Sequence, residues 1–209
     1  MSRRLVNLTL DNLGDLTPRC RSCVFWELDP AAGAQACADG SGELEKEAWV
    51  SDTLLEWGCC GQLVYVDGAP AGHLLYAPPA YVPRSLAFPT SPVSPDAVLL
   101  MSAHVAEEFR GGGVGRMLVQ GLARDVMRRG IRAVEAFGRA TDLRGAELHC
   151  LPPVDYLLSV GFKTVRPHPK TPRLRLDIRS IVSWREDAGY AVERLLASIS
   201  GGVPALGGR

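Results

Sequence analysis

Between positions 98 and 130 the hydrophobic pattern of the chain changes its period, which predicts a strand, a glycine-rich loop and a helix. Residues 98–101 form an apolar run that is too short and too continuous for an amphipathic helix, which favours a buried strand. Apolar side chains then recur at three- and four-residue steps, at Val114, Met117, Leu118, Leu122 and Val126. The predicted helix ends at Gly130, behind two arginines whose charge suits a helix C-terminus.

The same reasoning along the rest of the chain predicts alternating strands and helices. The predicted strands cover residues 5–10, 61–66, 71–76, 131–137, 162–165 and 174–178, and the predicted helices cover 43–57, 154–160 and 181–199. Asp67-Gly68, between two alternating runs, is a strong signal for a β-hairpin. The sequence therefore predicts a mixed α/β fold with an additional C-terminal amphipathic helix.

Four glycines, at 111, 112, 113 and 115, lie between the predicted strand and the predicted helix. Without Cβ atoms they expose the first N–H groups of the helix, which favours a phosphate or pyrophosphate ligand. A P-loop is excluded because Arg116-Met117 stands where that motif needs Lys-Ser/Thr. The dinucleotide fingerprint is excluded because its third glycine is missing. A turn without a ligand would rarely need four glycines, since each costs about 0.5–1 kcal/mol relative to alanine.

The glycine loop does fit another pattern, Arg/Gln-x-x-Gly-x-Gly/Ala, at Arg110, Gly113 and Gly115. Together with the strand before it, the helix after it and the downstream segment 156–162, which ends in Gly-Phe, the sequence resembles the GNAT superfamily of acetyl-coenzyme A-dependent N-acetyltransferases. The resemblance extends over roughly residues 61–178. It implies a central mixed sheet of six to seven strands flanked by helices.

The resemblance also implies that acetyl-CoA is a co-substrate, that no metal takes part, and where acetyl-CoA binds. The loop N–H groups would hold the pyrophosphate, and the strand edge would pair with the pantetheine arm and polarise the thioester carbonyl. The implied cofactor-binding residues are Ala103, His104, Val105, Arg110, Gly111, Gly112, Gly113, Val114, Gly115 and Arg116.

Acetyl transfer to an amine also needs a base and an acid, for which Glu135 and Tyr156 are the candidates. Strict strand alternation puts only apolar residues on the face shared with Val105 and places His104 on the opposite face, where it is as easily a core histidine as a catalytic one. Relatives place the thiolate-protonating tyrosine where this chain has Leu157, so Tyr156 is displaced by one residue. Cys150 stands where many relatives have a cofactor-contacting asparagine, and could act as an acid or acyl carrier only if its pKa is lowered and it is exposed.

The segment 77–95 contains six prolines and cannot form a regular helix. Loops of this length are usually functional, so we expect it to line the acceptor site as a lid. Trp26, Tyr76 and Tyr81 are the predicted substrate-contacting residues, with Trp26 covering the cleft.

Composition narrows the function further. The chain has 209 residues, 46% of them hydrophobic, and 23 charges of each sign, which suits one domain and argues against a nucleic-acid-binding surface. Cys20, Cys23, Cys59 and Cys60 could be zinc ligands, or Cys20 and Cys23 a redox pair, but adjacent cysteines chelate one metal poorly, so reduced thiols are favoured.

We expect a single GNAT-like domain over residues 1–200 and a flexible tail over 201–209. No apolar run is long enough for a signal peptide or a membrane span, which favours a cytoplasmic protein without a membrane partner. The C-terminal helix packs on the same chain or forms a homodimer contact.

Two functions are compatible with these observations. The first is an N-acetyltransferase that moves an acetyl group from acetyl-CoA to a primary amine, either a small molecule or a protein lysine. The second is a non-catalytic acyl-CoA-binding or partner-binding protein, which the apolar strand face and the displaced tyrosine allow.

Overall fold

The fold is described from a computed structural model, which covers residues 2–140 and 150–178. These residues form one seven-stranded sheet in the order β1-β2-β3-β4-β5-β7-β6. The strands are β1 (Arg3–Asn7), β2 (Gly61–Val66), β3 (Ala69–Ala77), β4 (Ala97–Val105), β5 (Ala133–Phe137), β6 (Lys163–Arg166) and β7 (Arg173–Asp177). The helices are α1 (Pro18–Arg21), α2 (Pro30–Asp39), α3 (Gly42–Glu56), α4 (Val114–Arg128) and α5 (Val154–Ser159). This architecture confirms the predicted mixed α/β fold and its strand number.

Each face of the sheet is covered by helices and has its own core. On one face, here called the α4 face, Leu118 and Leu122 of α4 pack with Leu157 of α5, all three fully buried. On the other face, here called the α3 face, Val50 of α3 packs with Trp26 and other buried residues. The amphipathic pattern predicted for α4 is thus satisfied by burial against the sheet.

Strand β4 carries a β-bulge at Met101. Leu75 of β3 pairs with Ser102 and Tyr76 pairs with Leu100, so Met101 is the extra residue. A bulge reverses the alternation of side chains beyond it, so Ala103 packs on the α4 face instead of sharing a face with Met101. The strict alternation assumed from the sequence was therefore wrong beyond Met101.

His104 changes face for the same reason. It pairs with His73 of β3, which in turn pairs with Leu63 of the α3-face core. The two histidine rings stack with centroids 5.6 Å apart. His104 therefore lies on the α3 face, beside Ser102.

Strands β4 and β5 are the parallel pair of the sheet, and they pair over a short length only. Ala97–Leu99 pair with Ala133–Glu135, after which β5 ends at Phe137 while β4 continues to Val105. Within the described residues no strand pairs with this far part of β4 on the β5 side. The diverging strands leave a gap in the sheet, a place where a ligand can reach both faces.

Most predicted elements are confirmed, including the hairpin at Asp67-Gly68, whose two residues have φ of 48° and 87°. The first strand ends earlier than predicted, because the Asn12 side chain bonds Thr9 N–H and Asn7 C=O and turns the chain. Helix α2 was missed, although Asp29 before Pro30 is an N-cap signal. The predicted helix at 181–199 and tail at 201–209 lie outside the described residues.

Candidate active site

A cavity of about 1000 Å³ lies at the gap between β4 and β5. Its walls belong to both faces of the sheet. On the α4 face they include Val114, Gly115 and Tyr156, and on the α3 face Trp26 and His104. The volume is at the upper end of the range for small-molecule sites, so the cavity can hold an extended ligand.

The α4-face part of the cavity is formed by the glycine loop. Gly111 and Gly113 have φ of 75° and 83°, a conformation that residues with a Cβ rarely adopt. Gly113 is the N-cap of α4, and the first helical hydrogen bond is donated by Met117 N–H to its carbonyl at 3.0 Å. The N–H groups of residues 114–116 therefore have no acceptor within the helix, and Gly111, Gly113, Gly115 and Arg116 all line the cavity. This cradle fits an anionic diphosphate.

The packing of Tyr156 requires a glycine at position 115. A Cβ at this position would lie 2.8 Å from Cε2 of Tyr156, so the tyrosine ring occupies the space that a side chain would fill. The Tyr156 hydroxyl donates a hydrogen bond to the Gly115 carbonyl at 3.1 Å, and burial raises the pKa of Tyr156 to about 12. Tyr156 thus stays protonated beside the cradle.

The displaced position of Tyr156 does not remove it from the cavity. Leu157, at the position that the resemblance assigns to the tyrosine, is fully buried in the α4-face core. Because α5 directs Leu157 inward, its neighbour Tyr156 lines the cavity. Successive side chains on a helix point about 100° apart, so one residue can pack in the core while the next reaches a ligand.

The α3-face part of the cavity contains a buried ion pair. Lys46 Nζ of α3 bonds Glu27 Oε1, and both side chains are at most 3% exposed. Glu27 Oε2 also accepts from the Trp26 backbone N–H at 3.2 Å. Because each charge is neutralised by the other, this pair gives the α3-face side a polar wall without net charge.

Three residues that line the cavity carry a buried polar atom without a partner. Thr17 Oγ1, Ser102 Oγ and Arg139 Nε have no hydrogen-bond partner within residues 2–140 and 150–178. Buried polar groups in folded proteins nearly always have partners. These unpaired atoms make the protein behind the cavity wall polar.

His104 supplies a titratable group to the same side. Burial, and secondly the nearby charge of Arg110, lower the pKa of His104 from its ordinary 6.5. The neutral imidazole is therefore the form present at neutral pH, and it can accept a proton. Its stacking partner His73 is buried deeper, and burial lowers the pKa of His73 to about 3.

Glu135 does not line the cavity, which revises its expected role as the general base. Its carboxylate is fully buried and bonds Arg173 at 2.8 Å, Arg175 at 3.2 Å and the Ser94 N–H at 3.1 Å. A carboxylate paired with two guanidinium groups is a structural counter-ion. Strand position alone could not distinguish this role from catalysis.

Two of the three predicted substrate residues also lie elsewhere. Tyr76 is buried in the α4-face core, where its hydroxyl donates to Asp125 at 2.6 Å. Tyr81 offers its carbonyl to Trp49 Nε1 at 2.8 Å and does not line the cavity. Trp26 does line it.

The proline-rich segment 77–95 does not line the cavity either, so its expected role as a lid over the acceptor site needs correction. It packs behind the wall instead. Phe88 stacks on Phe137 at 4.3 Å and on Trp26 at 5.2 Å between ring centroids. The segment therefore fixes the indole that faces the cavity.

The cysteines separate into two places. Cys20, Cys23 and Cys150 line the cavity, whereas Cys59 and Cys60 do not. Among the described residues, no three of the His, Cys, Asp and Glu side chains are arranged to hold a metal ion. Glu27 and Lys46 were not predicted as site residues, because a single Glu in a turn and a single Lys in a helix have no distinguishing pattern.

The sequence profile of the acetyltransferase (GNAT) family matches residues 21–149. The chain belongs to the GNAT acetyltransferase family. The matched range contains the glycine loop and β4, the elements on which the resemblance was based. A comparison with curated protein sequences finds no match.

Solved GNAT structures share the fold at low sequence identity. PaiA N-acetyltransferase from Thermoplasma acidophilum, in complex with coenzyme A, is 10% identical, with a TM-score of 0.55 over 85% of this chain and 99% of that one. YncA from Salmonella typhimurium, with its cofactor acetyl-CoA, is 14% identical, with a TM-score of 0.54 over 85% and 95%. An N-acetyltransferase from Staphylococcus aureus Mu50 is 12% identical, with a TM-score of 0.53 over 85% and 99%.

No helix in the part of the chain that the structure describes is long and apolar enough to cross a membrane.

Proposed function

We propose that this GNAT protein transfers the acetyl group of acetyl-CoA to a primary amine by direct attack of the amine on the thioester. The observation that carries the proposal is the single cavity that joins the glycine cradle on the α4 face to a polar wall on the α3 face. Donor and acceptor can then meet in the gap between β4 and β5 without a covalent enzyme intermediate.

The donor is held chiefly by backbone groups. The N–H groups of residues 114–116 bind the diphosphate, and the side chains of Arg110 and Arg116 add positive charge at the same mouth of the cavity. Backbone N–H groups of β4 near Ala103 orient the thioester and polarise its carbonyl. The bound thioester supplies the activated acetyl group.

His104 and Tyr156 handle the protons. His104, neutral at neutral pH and on the acceptor side, accepts a proton from the substrate ammonium, directly or through a water, so that the neutral amine can attack. Tyr156, protonated and on the donor side, gives a proton to the departing thiolate. The two groups lie on opposite sides of the gap, as the direction of transfer requires.

The acceptor side favours an amine of low charge over a polyamine. Within the described residues, the carboxylate that lines the cavity is Glu27, which Lys46 already neutralises. Arg139 adds a positive charge to the same wall. A polycation would therefore meet repulsion, whereas a neutral or acidic molecule with one amine would not.

A thiol-release assay tests the proposal with acetyl-CoA and a panel of amines: monoamines, amino acids, lysine peptides and polyamines. Acetyl-CoA binding is measured in parallel by calorimetry. We expect binding, and turnover with at least one monoamine or amino acid above the rate with polyamines. Binding without turnover on any amine would instead support the non-catalytic acyl-CoA-binding function.

A further inference from the structure

Two thiols face each other in the acceptor side of the cavity. Cys23, which lies between α1 and α2, and Cys150, which precedes α5, have their Sγ atoms 3.2 Å apart. Both side chains are half-buried and line the cavity. The residues are 127 positions apart in the sequence, so their proximity is a product of the tertiary structure.

The segments that carry the two thiols are held together independently of the sulfur atoms. The indole Nε1 of Trp26, three residues after Cys23, donates to the Cys150 carbonyl at 3.1 Å. Trp26 is itself fixed by the stacked ring of Phe88. A disulfide bond of about 2.05 Å would need the two sulfur atoms to approach by roughly 1 Å.

The two sulfur atoms differ in reactivity. A hydrogen bond from the Cys150 thiol lowers the pKa of Cys23 to about 6, against the opposing effect of burial. The same hydrogen bond, together with burial, raises the pKa of Cys150. At neutral pH Cys23 is therefore the thiolate that attacks, and Cys150 is the thiol that follows.

Three other cysteines do not combine a place in the cavity wall with a lowered pKa. Burial raises the pKa of Cys20, which also lines the cavity. Cys60 is fully buried in the α3-face core, and burial raises its pKa to about 12. Cys37 is exposed on α2 and does not line the cavity. Among these thiols, Cys23 alone combines access with the thiolate form.

We propose that Cys23 and Cys150 form a modification site for low-molecular-weight disulfides within the acceptor side of the cavity. The Cys23 thiolate attacks one sulfur of the reagent, the S–S bond of the reagent breaks, and one thiolate leaves. Cys150 then gives its proton to that thiolate and attacks Cys23 Sγ, which expels the second half of the reagent as a thiolate that takes a proton from water. Overall, two protein thiols are oxidised to one disulfide and the reagent is reduced to two thiols.

The cross-link would act on one side of the cavity only. It joins the segment before Trp26 to the segment before α5, at the wall where the acceptor binds. The glycine cradle on the α4 face contains neither thiol. If the proposed function holds, oxidation therefore slows acceptor use and leaves acetyl-CoA binding intact.

The chemistry is tested on the full chain with oxidised glutathione as the probe. Trypsin cleaves after Arg21, Lys46, Arg144 and Lys163, so Cys23 and Cys150 fall in peptides 22–46 and 145–163. Cys37 shares the first peptide, and a Cys37→Ser background removes that ambiguity. We expect the two peptides joined and two hydrogen atoms lighter than their sum, about tenfold above any other protein disulfide.

Two single variants in the same background identify the order of attack. Cys150→Ser should accumulate a mixed disulfide with glutathione at Cys23, because the second step is removed. Cys23→Ser should leave Cys150 unmodified over the same time. Modification spread evenly over several cysteines, or a Cys150→Ser protein without a mixed disulfide at Cys23, would overturn the proposal.

A pH profile separates a reactive thiolate from mere exposure. The serine hydroxyl in Cys150→Ser can still donate to Cys23, whereas the methyl group in Cys150→Ala cannot. The midpoint for mixed-disulfide formation should therefore lie at lower pH in Cys150→Ser than in Cys150→Ala, and equal midpoints would contradict the hydrogen bond's role. All these readouts are masses, so they stand even if no amine is ever acetylated.

Discussion

The two sides of the cavity present different kinds of groups to a ligand. On the donor side, one contiguous segment, residues 114–116, presents backbone N–H groups at the start of α4. On the acceptor side, side chains converge from four separate parts of the chain: the segment of Cys23 and Glu27, α3, β4 and the region of Cys150.

This difference has physical consequences. Backbone N–H groups are fixed by the helix geometry, so the donor side depends on what its residues lack, namely Cβ atoms. The acceptor side depends on charges and thiols that other groups must neutralise or position, as Lys46 does for Glu27. We therefore expect the donor side to tolerate changes of side-chain polarity and the acceptor side to respond to them.

Replacing Glu135, the buried counter-ion beside the acceptor side, should have the largest effect. Glu135→Gln leaves Arg173 and Arg175 without their shared carboxylate, and the free energy of unfolding should fall by about 3 kcal/mol. Urea denaturation measures this change. The folded enzyme should keep its kcat, since Glu135 does not line the cavity. Normal stability with a lost kcat would restore Glu135 as the base.

Filling the donor cradle should have the next largest effect. Gly113→Val places a side chain at a φ of 83° and blocks the phosphate approach, so the Kd for acetyl-CoA should rise by about 100-fold, equivalent to the loss of one or two charged hydrogen bonds.

Gly130→Val is a matched control for strain. Gly130 follows the other end of α4 with a similar φ of 72° and lies outside the cavity. Both variants should lose about 1–2 kcal/mol of stability, and calorimetry should show weaker acetyl-CoA binding only for Gly113→Val. Equal losses of binding would mean that general strain, and not the cradle, is responsible.

Removing the hydroxyl of Tyr156 should have a smaller effect, on turnover alone. Tyr156→Phe keeps the ring against Gly115, so acetyl-CoA binding should persist. The kcat should fall about tenfold. This fall is smaller than the usual loss on removing a general acid, because a thiolate is a good leaving group. Tyr76→Phe is the control, since its hydroxyl bonds Asp125 in the core. That variant should lose stability and keep kcat; a similar fall in kcat would argue against a specific role for Tyr156.

The smallest expected effect is on the pH dependence of kcat/KM. Because the pKa of His104 is lowered, its neutral form persists below pH 6.5, and activity should decline only as the pH falls through this lowered value. His104→Asn should have a lower kcat/KM, and its kcat/KM should no longer decline at acidic pH. His168→Asn, at a residue outside the cavity, should keep this decline. An unchanged decline in His104→Asn would assign it to another group.

The sequence by itself determined the order of the strands, the helices α3, α4 and α5, and the glycine loop at the start of α4. These features depend on local information: the hydrophobic period, the Asp67-Gly68 turn, and glycines at positive φ, which most other residues rarely adopt. These signals act over a few residues, so a linear pattern contains them. The family resemblance rests on the same local motif.

Only the tertiary structure decided the acceptor side. One extra residue at Met101 reversed the faces of β4 and brought His104 into the cavity, and two arginines of β7 turned Glu135 from a candidate base into a counter-ion. The contact between Cys23 and Cys150 likewise joins distant segments. Such roles depend on which partner a side chain meets across the fold, and a hydrophobic pattern along the chain has no information about that partner.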